Sequence, residues 1–256
     1  MEGEGQKPNQ NMDYRTKGKV LKIVIIISII VLILFAVMMW LLTYHEEGEK
    51  NIPFKISKIV LISSTDGIKA EGLQTQWAID VNQNNDIYLY IDKNKNYGKT
   101  ELIENVKISN FNISKKSEKG EIKIYKPTTE ESKMFSNVQE FEIKELTYVG
   151  DLESNIKQSK ISNQGGLIVF RCANNNISQY ISTSATEVNY NQLLQLTNVQ
   201  QEDLNLTISF DIEIKVANKK TYQATVELEL PVGDVITNGT TNLEITNLED
   251  IVFKII

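Results

Sequence analysis

ISFDIEIKVANKKTYQATVELEL, residues 208–230, decides the fold. Ile208, Phe210, Ile212, Ile214 and Val216 fall on one side of a period-two pattern, with Ser209, Asp211, Glu213 and Lys215 on the other. After Ala217-Asn218-Lys219-Lys220 the pattern resumes with Tyr222, Ala224, Val226, Leu228 and Leu230. Two runs with one apolar and one wet face, joined by a short polar turn, make an antiparallel hairpin. Working outward, similar runs predict strands at 54–63, 75–82, 87–92, 101–114, 120–126, 138–149, 166–173, 176–182 and 243–255. Strands at this spacing with Asn and Gly turns define an all-β, antiparallel region built as one β-sandwich or a pair of them.

Helical patterns there are short. Thr128 with Glu131 forms a capping-box pattern after Pro127, predicting a turn or two of helix through Phe135. Asn189 can cap a second piece in which Tyr190, Leu193 and Leu194 share a face. The first piece, with its Pro and lack of alternation, is the best candidate for a boundary between two β halves, near 127–137.

Residues 23–42, IVIIISIIVLILFAVMMWLL, carry Ser28 as their only polar side chain. Twenty residues at about 1.5 Å each span roughly 30 Å, the thickness of a bilayer's hydrocarbon core. Arg15, Lys17, Lys19 and Lys22 precede the run, whereas Glu46, Glu47 and Glu49 follow His45 beyond it. Positive charge marks the cytoplasmic side, and Trp40 and Tyr44 suit the outer interface. The run is longer than a signal-peptide core and no A-x-A pattern follows, so an uncleaved anchor is expected. The expected organisation is a cytoplasmic tail at 1–19, a transmembrane signal-anchor at 20–43, a juxtamembrane linker at 44–52 and an extracellular β-rich region at 53–256.

Charge and composition narrow the partners. Residues 1–22 carry a net +2 against −6 for the whole chain, which leaves −8 for the remainder. An acidic ectodomain argues against nucleic acid and against anionic lipid surfaces. Lys outnumbers Arg 25 to 2, and Ile (34) and Asn (25) are abundant while Ala (7) is scarce, a bias associated with AT-rich bacterial genomes. The sequons at Asn112, Asn176, Asn205 and Asn238 then follow from Asn abundance. One cysteine, Cys172, excludes an internal disulfide, and a domain of about 200 residues needs none.

Residues 80–98, DVNQNNDIYLYIDKNKNYG, contain D-x-N-x-N twice. Asp80, Asn82 and Asn84 are the candidate metal ligands, since alternating oxygen-bearing side chains open a calcium loop. An EF-hand loop also needs Gly at its sixth position and Glu at its twelfth. Counting from Asp80 those positions hold Asn85 and Ile91, and counting from Asp92 they hold Tyr97 and Ile103. Trp77, Ile79 and Val81, then Ile87, Leu89 and Ile91, keep a period of two on either side of Asn82–Asp86. A turn at 82–86, in which Asn and Asp bond their own main chain, is therefore expected in place of a metal site.

Catalytic machinery is short of parts. His45, the only histidine, lies beside the anchor, so the ectodomain can assemble neither a Ser-His-Asp nor a Cys-His site, and zinc lacks ligands. Arg171-Cys172 lacks the histidine that a sortase needs, and Cys172 alternates with Ile168 and Phe170 as a core residue does. Ser154–Lys157 is the sole S-x-x-K, without companion S-D-N or K-T-G elements. Leu230-Pro231-Val232-Gly233-Asp234 reads as a strand end with a turn. No catalytic residue and no cofactor is implied, although 33 acids leave paired-carboxylate hydrolysis open.

What remains is surface. Tyr88 and Tyr90 point away from the Ile87/Leu89/Ile91 face, with Tyr97 nearby, and amphipathic aromatics on an outer face form a possible partner surface. The Lys-rich start before an Ile-rich anchor, IPFKISKIVLISSTDG (52–67), QNNDIYLYI (83–91) and SNQGGLIVFR (162–171) resemble a group of single-pass membrane proteins from low-GC Gram-positive bacteria to which no activity is attached. That resemblance implies the topology and no ligand or catalytic residue. The leading expectation is a non-enzymatic, membrane-anchored β-sandwich that binds other envelope proteins or cell-wall material, as a binding module or a subunit of a cell-envelope complex. A carboxylate-based cell-wall hydrolase is the alternative, and a calcium-dependent adhesion module the third.

Overall fold

The computed structural model describes residues 11–46, 52–70, 77–182 and 188–256. The start of the expected tail (1–10), most of the expected linker (47–51) and the first residues of the expected strand 75–82 lie outside them. Two compact units result, residues 1–47 and 48–256.

The first unit is one helix, α1 (Asn11–Glu46). It overruns the apolar stretch at both ends because no proline stands between Pro8 and Pro53. Its segment Gly18–Leu41, 24 residues with mean hydropathy 3.3, is long and apolar enough to cross a membrane.

The second unit is a two-sheet β structure. A long sheet has the order β10 (Thr240–Ile245), β1 (Phe54–Ala70), β2 (Trp77–Lys93), β7 (Gly166–Ser182), β4 (Glu121–Tyr125). The second sheet has the order β11 (Lys254–Ile255), β9 (Thr221–Leu230), β8 (Leu206–Val216), β3 (Ile103–Lys115), β5 (Leu146–Asp151), β6 (Lys160–Ser162). Every named pair is antiparallel except β5–β6. The expected hairpin is present, with Ile208 opposite Leu228, Phe210 opposite Val226 and Ile212 opposite Ala224. Its inward residues meet the long sheet's Ile59, Leu61, Ile87, Leu89 and Phe170 in one core. Phe170 and Phe210 cross between the sheets edge to face, centroids 5.0 Å apart. This is an antiparallel β-sandwich.

Residues 127–137 do not divide it. Strands from before and after that stretch pair within both sheets, β1 with β10, β2 with β7 and β3 with β8. The expected helix there is absent. The Thr128 hydroxyl accepts from Glu130 N at 3.1 Å, and Thr128 N donates to the Met134 carbonyl at 2.9 Å, which closes a loop. The second expected helical piece does form, as a 3-10 turn at Tyr190–Gln192 capped by Asn189 and leading into α2 (Leu193–Leu196). Two further short helices, α3 (Gln201–Leu204) and α4 (Val235–Asn238), were not expected.

β1, β2 and β7 each run 17 residues, about 56 Å at the usual rise. The longest strand opposite them has 13. The long sheet therefore overhangs the second sheet, and α2, α3 and α4 cover the overhang. Leu193, Leu194, Leu204 and Val235 bury Ile79, Val81 and Ile177 in a second apolar cluster.

Between the two clusters runs a polar belt. In β1 the inward positions continue from Ile59 and Leu61 to Ser63 and Thr65, and in β2 from Ile87 to Asn85 and Gln83 before Val81 and Ile79. The Ser63 hydroxyl donates to Asn85 Oδ1 at 2.8 Å, Gln83 Nε2 donates to the same oxygen at 2.7 Å, and Asn85 Nδ2 donates back to Gln83 Oε1 at 3.1 Å. This belt corrects the expected turn at 82–86. Those residues are a continuous, buried strand, so the two predicted strands 75–82 and 87–92 are one. The predicted strands 166–173 and 176–182 are likewise joined in β7. There a bulge sets 175–177 against Asn82, with Asn176 at φ +53°, a conformation Asn tolerates. The predicted strand 243–255 is instead split between β10 and β11, which lie in different sheets.

Candidate functional site

The long sheet's outer face, turned away from the second sheet, gathers the polar and aromatic side chains of interest. Register places them in ranks: Lys58, Tyr90 and Leu167; then Val60, Tyr88 and Val169; then Ile62, Asp86 and Arg171. Val169 is buried, and Lys58, Val60, Ile62, Tyr88, Tyr90 and Leu167 are half-buried. Lys58 Nζ lies 4.6 Å from the Tyr90 ring centroid and 3.3 Å from Glu244 Oε2. Burial pushes the Tyr88 phenol up to about 12, with the Asp86 and Tyr90 charges adding to the rise and Arg171 opposing it. Tyr88 and Tyr90 are thus adjacent, as the strand period requires. Tyr97 stands beyond the end of β2, its N–H bonded to the Asn94 carbonyl at 3.0 Å in a loop.

Beside this patch, a strap formed by residues 126–143 folds over the outer face of β7. It leaves β4, and its return is stitched to β4 by Lys126 N to the Phe141 carbonyl (3.0 Å) and Ile143 N to the Ile124 carbonyl (2.9 Å). Phe141 packs with Tyr125 and Ala173. Under the strap, Arg171 grips Asp86 with two parallel bonds, Nε to Oδ1 at 2.6 Å and Nη2 to Oδ2 at 3.0 Å. The remaining guanidinium nitrogen Nη1 donates to Asn137 Oδ1 at 3.1 Å, and the Phe135 ring sits 4.8 Å from the guanidinium carbon. Asn137 passes the network on, donating to Asn84 Oδ1 at 2.8 Å and Asn175 Oδ1 at 2.9 Å, and Asn175 donates to the Tyr125 hydroxyl at 2.8 Å.

Asp86, Arg171 and Asn137 were missed in the sequence. One signal was available: Arg171 is one of two arginines in the chain and sits in an otherwise apolar strand, where a charge needs a partner.

Asp80, Asn82 and Asn84 do occupy alternate positions of β2, but one side-chain oxygen of each is engaged by a donor. Gln179 Nε2 donates to Asp80 Oδ1 at 2.8 Å, Asn176 N to Asn82 Oδ1 at 2.8 Å and Asn137 to Asn84 Oδ1. Within this trio the buried atoms left without a partner are the Nδ2 donors of Asn82 and Asn84, which repel a cation. Among the described residues no three His, Cys, Asp or Glu side chains gather in a metal-holding group.

Cys172 points into the core as its alternation required, and burial pushes its thiol up to about 12. Ser154 Oγ accepts from Ser162 N at 2.9 Å, while Lys157 Nζ donates to the Glu130 and Glu131 carbonyls. The S-x-x-K pair therefore serves two separate loops. A pocket of about 400 Å³ opens where the chain leaves β10 for β11, floored by Ile56, Leu248 and Phe253 and rimmed by Lys55, Asn96 and Glu249. A second, of about 340 Å³, is lined by Lys116, Glu202 and Glu229 among others. Comparison with protein-family models, curated proteins and solved structures finds no match for this chain. The resemblance drawn from 52–67, 83–91 and 162–171 rests on those residues alone.

Proposed function

We propose that this protein is a single-pass, membrane-anchored binding module, with its N-terminus cytoplasmic and its β-sandwich outside, that docks another protein of the cell envelope without catalysing a reaction. One observation carries the reading: Tyr88 and Tyr90 stand in adjacent ranks beside Val60, Ile62 and Leu167 on a sheet face that the second sheet does not cover. Half-buried tyrosines on a rigid central strand offer large contact area at little entropic cost, and Tyr is enriched where binding energy concentrates. The charge asymmetry around the anchor supports the orientation. A photo-crosslinking residue at Tyr90 in intact cells should capture one envelope protein reproducibly. Tyr88→Ala should weaken recovery of that protein at least tenfold, while Leu152→Ala, at an 83% exposed residue of the second sheet's side, leaves it unchanged. Equal recovery from both variants overturns the assignment of this face.

A second reading, a carboxylate-based cell-wall hydrolase, draws on Glu202 and Glu229 in one pocket. It requires that the protein release sugars from purified cell wall and that Glu202→Gln and Glu229→Gln each abolish the release.

A further inference from the structure

We propose that Lys115 and Asn174 join in an intramolecular isopeptide bond that ties the two sheets together. Lys115 closes β3, paired with Leu206 in the second sheet, and Asn174 lies within β7 of the long sheet, in the rank Thr65, Gln83, Asn174. Lys115 Nζ approaches Asn174 Oδ1 at 3.4 Å across the gap between the sheets. It is steered there by two further acceptors, the carbonyls of Lys119 and, at 3.3 Å, Gly120.

The amide is presented in a particular way. Asn174 is fully buried, its oxygen faces the lysine, and its Nδ2 has no hydrogen-bond partner. The nitrogen that would leave is the one nothing holds. Gly120, at φ +74°, lets the 116–120 turn close over this group: a Cβ there would stand 2.1 Å from Asn174 Oδ1. Burial lowers the Lys115 amine from its ordinary range, against the opposing pull of the Glu118 and Asp203 carboxylates. That favours the uncharged amine, which is the nucleophile.

The step balances without any co-reactant. The lysine ammonium gives up a proton, Nζ attacks the Asn174 Cγ, the Nζ–Cγ bond forms and the Cγ–Nδ2 bond breaks. The released nitrogen takes up protons and leaves as ammonium, so one positive charge stands on each side and no oxidant is consumed. The reacting carbon lies one C=O bond, about 1.2 Å, behind the oxygen that Lys115 already contacts.

The test is the intact mass of the full-length chain purified in detergent. The bonded protein is lighter than its sequence by about 17 Da, the mass of ammonia, and a protease digest contains one branched fragment carrying residues 115 and 174. Lys115→Arg, which keeps the carbonyl clamp, restores the full mass and removes the branched fragment. Succinimide formation at Asn238-Gly239 would also release ammonia, but it survives Lys115→Arg and gives no branch. A wild-type mass equal to that of the sequence, or a loss that persists in Lys115→Arg, overturns the proposal.

Discussion

Arg171 and Asp86 show how much a single pair can hold in this fold. Each side chain is only 12% exposed, and between them they join β2, β7 and the strap through Asn137. Removing one partner leaves the other charged and uncompensated, so Asp86→Ala should cost about 3–5 kcal/mol in urea denaturation of a fragment spanning 48–256. Arg171→Lys should recover little of that stability, because an ammonium cannot make two parallel bonds and a third to Asn137. Tyr88 gives a pH signature. Its folded-state value is raised from 10.0 to about 12, so between those limits the unfolded chain has lost a proton that the folded chain keeps. Stability from this group is complete below pH 10 and is lost as pH rises toward 12, and Tyr88→Phe should flatten that decline in thermal melts. Cys172 was legible from alternation alone, since Ile168, Phe170 and Cys172 share a face and only a core awaits them. Arg171, its neighbour on the opposite face, was not, because its partner lies 85 residues away and the strap above it has no periodic pattern.

At the scale of elements, β2 separates what pattern can reveal from what it cannot. The hairpin 208–230 was readable because one face is buried and the other wet, so hydrophobicity alternates. Gln83, Asn84, Asn85 and Asp86 are buried on both faces, inward by the polar belt and outward beneath Asn137 and Arg171, and there polarity stops reporting exposure. Composition then favours a turn, although the backbone is a strand. Backbone amides of 82–86 should accordingly exchange with deuterium as slowly as those of 87–91, whereas a turn would exchange far faster. Millimolar calcium should leave the melting temperature unchanged, because Asp80 Oδ1, Asn82 Oδ1 and Asn84 Oδ1 already accept hydrogen bonds. A bound ion at a hundredfold excess over its Kd would add about 2.7 kcal/mol, several degrees in the midpoint. Asn85→Ala should cost about 1–3 kcal/mol by stranding Ser63 and Gln83 in the belt.

For the whole molecule, the apolar helix was legible from length alone, because twenty apolar residues at about 1.5 Å each are long enough to cross a bilayer's hydrocarbon core. The side of the membrane rests on the flanking charges. A reporter active only outside the cytoplasm should work after Ile256 and stay silent before Lys17, and the reverse would relocate every face described above. The overhang was not legible, since it depends on how distant strands pair and on α3 and α4, too brief to leave a pattern, although α2 was readable from its Asn189 cap. The order of strands has a mechanical meaning. The chain that follows α1 enters the sandwich at Phe54, the first residue of β1, and β1 is hydrogen-bonded on one side to β2 and on the other to β10. If the apolar helix is held in a membrane, tension reaching β1 at Phe54 has to slide that strand past β2 along its length and past β10 over Ile59–Ser64. Bonds loaded in that way share the force in shear, in place of opening singly as a peeled edge strand would.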